Sequence, residues 1–332
     1  MRKKSFTNYL DQVDDLTVTQ RDTLLERLTK QTSQEIVHYE IEKRIENIHE
    51  CPHCQSKHIQ RWGSTDNLQR FRCCGCNKTF TGLTGTPMAN LRHKDKWLDY
   101  LSSMIAGESI RKSAKDCGIH RTTSFRWRHR FLAMPRSQKD HFFQGIVEAD
   151  ETYFLESFKG SRDLPRTPRK RGGKAKKRGL SQEQIPVMVV RDRYGSTTDS
   201  ILKKVTAETV GAVLKPVLAE DALLCTDGST VYKALALSEG IEHHALVASK
   251  GERVKEKVFH IQNVNAYDSR LKGWMLRFNG VATKYLSNYL GWRRLLEKQG
   301  LELSSQTYLA AAFGEPTINA NRALKNEPAY DH

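Results

Sequence analysis

Glu148-Ala149-Asp150-Glu151 is the stretch whose reading decides the fold. It follows the apolar Ile146-Val147 and precedes Tyr153-Phe154, so it reads as a buried central strand with a carboxylate in its middle. A second stretch, Leu223-Leu224-Cys225-Thr226-Asp227-Gly228, ends another apolar run on an aspartate, at a strand's C-terminal edge. Open mixed sheets place ligands at such edges. A third, Asn263-Val264-Asn265-Ala266, opens an amphipathic helix. Its apolar stripe is Tyr267, Leu271, Trp274, Phe278 and Val281, each three or four residues from the last. Asn265, Asp268, Ser269 and Lys272 fall on another face, one that can look toward the two aspartates. A lone Asp at a strand end is usually a cap or turn residue. Two on different strands, with a third oxygen ligand on a late helix, can instead hold paired divalent metals for phosphodiester chemistry. The third ligand has two candidates, Asn265 and, one helical turn on, Asp268. Glu151 points to the opposite face if the strand is regular.

Outward from these stretches the chain alternates. Gly145–Phe154 is followed by a hairpin, Ile185–Arg191 and Ser196–Leu202, turned at Arg193-Tyr194-Gly195. Helix Thr206–Leu218, strand Ala222–Thr226, helix Val231–Ser238 and strand His244–Ala248 come next. Val264 to about Lys298 reads as mostly helix. The fold class is α/β, a mixed sheet flanked by helices. Residues 159–179 carry ten basic residues and one acid, Asp163, among glycines and prolines. That composition makes a mobile loop, and its place after the Asp150 strand suits a clamp on a DNA backbone. Its candidate contacts are Arg169, Lys170, Arg171, Lys174, Lys176, Lys177 and Arg178.

Ahead of the sheet lie two smaller modules. Cys51-x2-Cys54 and Cys73-x2-Cys76, separated by 18 residues, supply four thiolates for a structural tetrahedral zinc ion. Trp62, Gly63, Phe71 and Phe80 suit a small ribbon of strands around them, while Cys74 points away and His53 and His58 are minor alternatives as ligands. Three short helices follow over residues 94–134. The second and third, Ile110–Cys117 and Thr122–Leu132 around Gly118, have the form of a helix-turn-helix. Arg121, Thr122, Thr123, Arg126 and Arg128 are its candidate DNA contacts, with Phe125, Trp127 and Phe131 as core. The lead-in, residues 1–48, is helical, with Thr19 and Asp22 as its capping pair. These readings divide the 332 residues into a lead-in (1–48), a ribbon (49–82), a helix-turn-helix region (83–144), a catalytic domain (145–298) and a weakly patterned tail (299–332).

Composition bounds the partner. Lys plus Arg is 54 against 38 acids, a net charge of +16, which favours a polyanion. No run of 18 apolar residues spans a membrane and no apolar signal core follows Met1, so no membrane partner is expected and a reducing cytoplasm is the expected location.

With its motifs in view, the chain resembles the zinc-ribbon insertion-sequence transposases of the DDE superfamily, in the branch where Asn replaces the third acidic residue. The resemblance runs from the ribbon near 51 to about 295. It is carried by Asp150-Glu151-Thr152-Tyr153, Arg171-Gly172-Gly173-Lys174, Cys225-Thr226-Asp227-Gly228, Asn265 with Lys272, and the block Phe278–Leu286 followed by Asn288-Tyr289-Leu290. It implies an RNase H-like catalytic domain with Asp150, Asp227 and Asn265 as Mg2+ or Mn2+ ligands and Lys272 against the DNA end. An Asn carbonyl can ligate magnesium, though it brings no charge. The implied partners are double-stranded DNA, both element terminal repeats and target, and further copies of the chain in the DNA synapse. The implied activity is cleavage at the element ends and joining to target DNA, in a bacterial or archaeal cytoplasm at the nucleoid. Besides an acidic-membrane or RNA-binding scaffold, which keeps the charge but makes Asp150 and Asp227 dispensable, two other readings stay open. One is a non-catalytic ribbon and helix-turn-helix regulator, a decayed or domesticated transposase, which leaves 145–298 without a purpose. The other is a metal-dependent nuclease that cuts without joining.

Overall fold

A computed structural model describes residues 9–313 except 11, 171 and 177–180. The chain forms two compact units. The first comprises residues up to Phe131 and takes in a returning segment from Leu303, and the second begins at Leu132 and runs to Glu302.

In the first unit, helix α1 (Val18–Glu46) starts one residue after Thr17, whose side chain and Gln20 form a reciprocal capping box. The cap therefore sits two residues before the expected Thr19. Only the C-terminal half of α1 packs: Val37 and Ile41 are fully buried, whereas Leu25 and Leu28 are exposed. Strands β1 (Ile59–Thr65), β2 (Leu68–Cys73) and β3 (Thr79–Thr81) form an antiparallel ribbon, with Phe71 stacked on Phe80 in its small core. Helices α2 (Trp97–Ile105), α3 (Ile110–Asp116) and α4 (Arg121–Phe131) follow. Their core is aromatic: Tyr100 meets Trp127 edge-on at 5.3 Å, and Trp97 meets Phe131 at 5.9 Å.

In the second unit, the short helix α5 (Ala133–Ser137) precedes β4 (Ile146–Leu155), β5 (Gln184–Asp192), β6 (Thr197–Ile201), helix α6 (Ala207–Leu214), β7 (Leu223–Thr226), α7 (Thr230–Glu239) and β8 (His243–Ala245). Helices α8 (Gln262–Leu276) and α9 (Leu286–Gln299) complete it. The sheet order is β6-β5-β4-β7-β8. β4, β5 and β6 pair antiparallel, while β7 joins β4, and β8 joins β7, in parallel. This is the expected mixed sheet flanked by helices.

Alternation along β4 sorts its two faces. Val147 and Ala149 face a core shared with Val210 and Leu214 of α6 and Tyr232 and Leu235 of α7. α8 packs on both β4 and β5, burying Val264, Tyr267, Leu271 and Trp274. The stretch read as mostly helix is two helices, because Asn279 (φ 51°) and Gly280 (φ 87°) turn the chain between α8 and α9. α9 lies against α5 at Gly291, where an added Cβ would fall 2.5 Å from the Arg136 Cα. Only glycine fits there.

The last described element, α10 (Ser305–Phe313), is a correction to the weakly patterned tail. It belongs to the first unit, buries Tyr308 and Leu309 completely, and contacts α2 and α1. Among the described residues, no helix is long and apolar enough to cross a membrane.

Candidate active site and metal sites

The register between β4 and β7 assembles the centre of the second unit. It pairs Glu148 with Cys225 in parallel. Two residues further along each strand come Asp150 and Asp227. Neighbouring strands lie roughly 4.8 Å apart, so the two aspartates end up side by side. Asp227 stands just past the end of β7, exposed, with its Oδ1 accepting from the Ser229 N–H at 2.9 Å. Gly228 leaves the strand at φ 81°, where an added Cβ would approach Val247 to 3.0 Å, so glycine is required next to Asp227.

Electrostatics agrees with this placement. Burial raises the Asp150 carboxyl to about 6; the Asp227 charge pushes the same way, while the Glu151 N–H, at 2.8 Å, and Lys272 oppose it. Asp268, 6 % exposed, is raised to about 7 by burial and then by Asp150, and Lys272 again opposes. One of its carboxylate oxygens, Oδ1, has no hydrogen-bond partner. Asp150, Asp268 and Lys272 therefore share one neighbourhood. Asn265 is exposed in the first turn of α8, on the face that carries Asp268 and Lys272. Glu151 lies on the other face of β4, as the alternation requires. It accepts from the Tyr232 hydroxyl of α7, and burial raises it to about 7.

The donor chemistry fits a hard divalent cation, since two adjacent carboxylates that repel each other are oxygen ligands short of positive charge. The ledge is open. Among the described residues, the one group of three or more His, Cys, Asp or Glu with ligand atoms mutually within 4.8 Å is the cysteine set of the first unit.

Glu148 is the residue the sequence reading missed. It is completely buried, on the same face as Asp150, yet it is not available as a ligand. Its Oε1 meets Arg193 Nη1 at 2.7 Å and Asn263 Nδ2 at 3.0 Å, and its Oε2 accepts from the Val264 N–H at 2.9 Å. The available signal was an acid two residues before Asp150 inside an apolar strand, a position that demands partners.

The basic loop is partly pinned to the domain. Arg169 donates to the Glu156 carbonyl at 2.6 Å and pairs with Glu183 at 2.8 Å, so its charge is already engaged, contrary to its reading as a free DNA contact. Lys170, Lys174 and Lys176 are exposed. Arg171, Lys177 and Arg178 lie outside the described residues. Between this loop, the end of β4 and α8 lies a cavity of about 880 Å3, lined by Tyr153, Phe158, Arg166, Lys272 and Leu276 among others.

In the first unit, Cys51, Cys54, Cys73 and Cys76 gather as their spacing requires. The Cys51 and Cys76 sulfurs lie 3.7 Å apart and those of Cys54 and Cys73 lie 3.5 Å apart. Tetrahedral zinc at Zn–S of about 2.3 Å sets sulfurs roughly 3.8 Å apart, so the set fits zinc. The Cys73 thiol is lowered to about 6, chiefly by the Cys76 N–H, which suits a thiolate ligand. Cys74 is exposed and outside the cluster, as are His53 and His58.

The helix-turn-helix candidate forms, with Ser109 capping α3 and Gly118 at φ 56° in the turn. Arg121, Thr122 and Arg126 are exposed and Thr123 is half-buried. Arg128 is a correction, because it is fully buried and donates to the Glu108 carbonyl at 2.8 Å and to Ser113 Oγ at 3.0 Å. It ties α4 to α3 and cannot reach DNA. Phe125, expected in the core, is 37 % exposed and packs edge-on against His129.

Comparison with known proteins finds similarity to transposase proteins. Residues 142–293 match the model of the ISXO2-like transposase domain. The chain is 29 % identical over 248 residues to an uncharacterized protein in transposable element ISH50 of Halobacterium salinarum (strain ATCC 700922 / JCM 11081 / NRC-1), covering 72 % of this chain and 82 % of that one. Among solved structures, a pre-cleavage Mos1 transpososome matches at 13 % identity over 64 % of this chain and 78 % of that chain, with a TM-score of 0.20. The Mos1 mariner paired end complex with Mn matches at 14 % identity over 68 % and 80 %, with a TM-score of 0.18. At such TM-scores these two likenesses carry nothing about the geometry of this chain.

Proposed function

From a chain whose residues 142–293 match the model of the ISXO2-like transposase domain, we propose a metal-dependent DNA transposase that binds the terminal inverted repeats of its own insertion sequence, cleaves at their ends and joins them to target DNA. The observation that carries this reading is the β4–β7 register, which brings Asp150 and Asp227 side by side. Asp150, Asp227 and Asn265 hold the divalent ions. When bound, Mg2+ or Mn2+ supplies activation of the attacking oxygen and stabilisation of the leaving one. Asn265 is preferred to Asp268 because its neighbour Val264 is hydrogen-bonded to β4 two residues before Asp150, and because Asn265 is exposed on the open ledge while Asp268 is buried.

Lys272, exposed and within the field of Asp150, contacts the phosphate at the DNA end. Lys170, Lys174 and Lys176 follow the backbone beyond it. Arg121, Thr122, Thr123 and Arg126 at the start of α4 read the repeat. The cysteine set holds structural zinc. Two DNA ends in one reaction call for more than one copy of the chain in the synapse.

The test is an end-cleavage and joining assay in Mg2+ or Mn2+ on the DNA that flanks the gene, comparing wild type with Asp227→Ala. Nicked and joined products from wild type, with a variant that binds but does not cut, are the expected result. Equal cleavage by both places the active site elsewhere, and cutting without joined products makes the chain a nuclease.

A further inference from the structure

We infer that Glu148, held by Arg193, is a positioning residue: it fixes the entry of α8 to β4 and so sets Asn265 and Lys272 against Asp150. This rests on the reading of Asp150, Asp227 and Asn265 as the reactive centre. Glu148 is 0 % exposed, and a carboxylate taken wholly out of water costs several kcal/mol unless it is paired and hydrogen-bonded. An apolar residue would fill a strand interior without that cost. What the acid adds is geometry. The Val264 N–H is one of the unpaired donors at the start of a helix, and Glu148 Oε2 takes it at 2.9 Å. Asn263 Nδ2 binds the other oxygen at 3.0 Å. Arg193, from the β5–β6 turn, binds that same oxygen at 2.7 Å and also holds the incoming chain, donating to the Val258 carbonyl at 2.9 Å. His260 stands 3.5 Å from Glu148.

Three separate segments thus converge on one buried carboxyl, two residues from Asp150 along the strand and one residue from Asn265 along the helix. Cα atoms two apart in a strand are separated by about 6.7 Å, so a shift at this clamp passes directly to the reacting centre. Misplacement of roughly 1 Å at such a centre can cost a hundredfold in rate.

The test uses the full chain with zinc and compares wild type, Glu148→Met/Arg193→Met and Glu148→Gln. Replacing both charges by apolar groups leaves no unpaired ion, so the double variant should fold. The readouts are melting temperature, amide hydrogen exchange at 263–266, and kcat and KM for end cleavage. The expected result is a folded double variant with exchange at these amides at least about tenfold faster, kcat down about a hundredfold and KM for the DNA end unchanged. Wild-type exchange at Val264, or faster exchange with unchanged kcat, overturns the inference. If the double variant does not fold, Glu148→Gln decides: loss of Val264 protection with a lower kcat supports the clamp, and wild-type values of either overturn it. If wild type itself cleaves nothing, the functional reading has failed on its own account. The exchange at Val264 then still tells whether Glu148 holds the helix, and unchanged protection overturns that too.

Discussion

Asp150 sits where burial and a second carboxylate both oppose its charge, and that fixes the sign of its pH dependence. Its folded value of about 6 and that of Asp268, about 7, lie above the ordinary 3.8. A carboxyl raised on folding contributes stability that is complete below its unfolded pKa and lost as pH rises through the folded one. Metal-free protein should therefore lose thermal stability between about pH 4 and pH 7, and Asp150→Asn should flatten that loss. Mg2+ should restore more stability at pH 8 than at pH 5, because protons compete for the same oxygens. Melting curves across pH with and without Mg2+ check this, and coincident curves contradict it. A second expectation separates the rival ligands: Asn265→Ala should lose cleavage by at least about a hundredfold, while Asp268→Asn keeps it. The reverse pattern would assign the site to Asp268. At this scale the sequence was legible where an acid ended an apolar run, as at Asp150 and Asp227. It was not legible at Glu148, whose partners Arg193 and Asn263 are 45 and 115 residues away and meet it only in the fold.

Among the elements, the same kind of residue divides into two roles. Ser124, Arg128 and Phe131 recur at helical spacing on the inner side of α4, whereas Arg121 and Arg126 lie on the outer side. Arg121→Ala should weaken binding to the repeats with little change in melting temperature. Arg128→Ala should instead lower stability by about 2 kcal/mol or more, by removing the donor to the Glu108 carbonyl and opening a void. Paired gel-shift and melting measurements on the two variants check this; equal loss of binding at unchanged stability would return Arg128 to the DNA contacts. The spacing that buries Arg128 was present in the sequence, but a basic residue in a basic helix reads first as a contact. Strands and the β5–β6 hairpin were legible because period-two runs and turn residues coincide there. The break between α8 and α9 was signalled by Asn279-Gly280 alone, inside an otherwise continuous helical pattern.

The whole molecule folds as two units, and the chain leaves the first at Phe131 and rejoins it at Leu303. The first unit is therefore incomplete without the segment that begins at Leu303. Gln306 binds Glu40 at 2.9 Å, and Tyr308 is fully buried. Tyr308→Ala should destabilise the first unit by about 3–5 kcal/mol, read as earlier proteolysis within residues 9–131, while β4–β8 remain protected. Uniform loss across both units would contradict their independence. This return was hidden from the sequence because Tyr308 to Phe313 is one short continuous apolar run, with no helical alternation of apolar and polar residues to mark a face. The second unit carries the central claim, that Asp150 and Asp227 hold the cation at which DNA is cut. Its most direct test is end cleavage by Asp227→Cys in Mg2+ and in Mn2+. A thiolate is a poor ligand for hard Mg2+ and is better accepted by Mn2+. The expected result is a variant silent in Mg2+ and active again in Mn2+, with wild type active in both. Cleavage by Asp227→Cys in Mg2+ at the wild-type rate would contradict the claim.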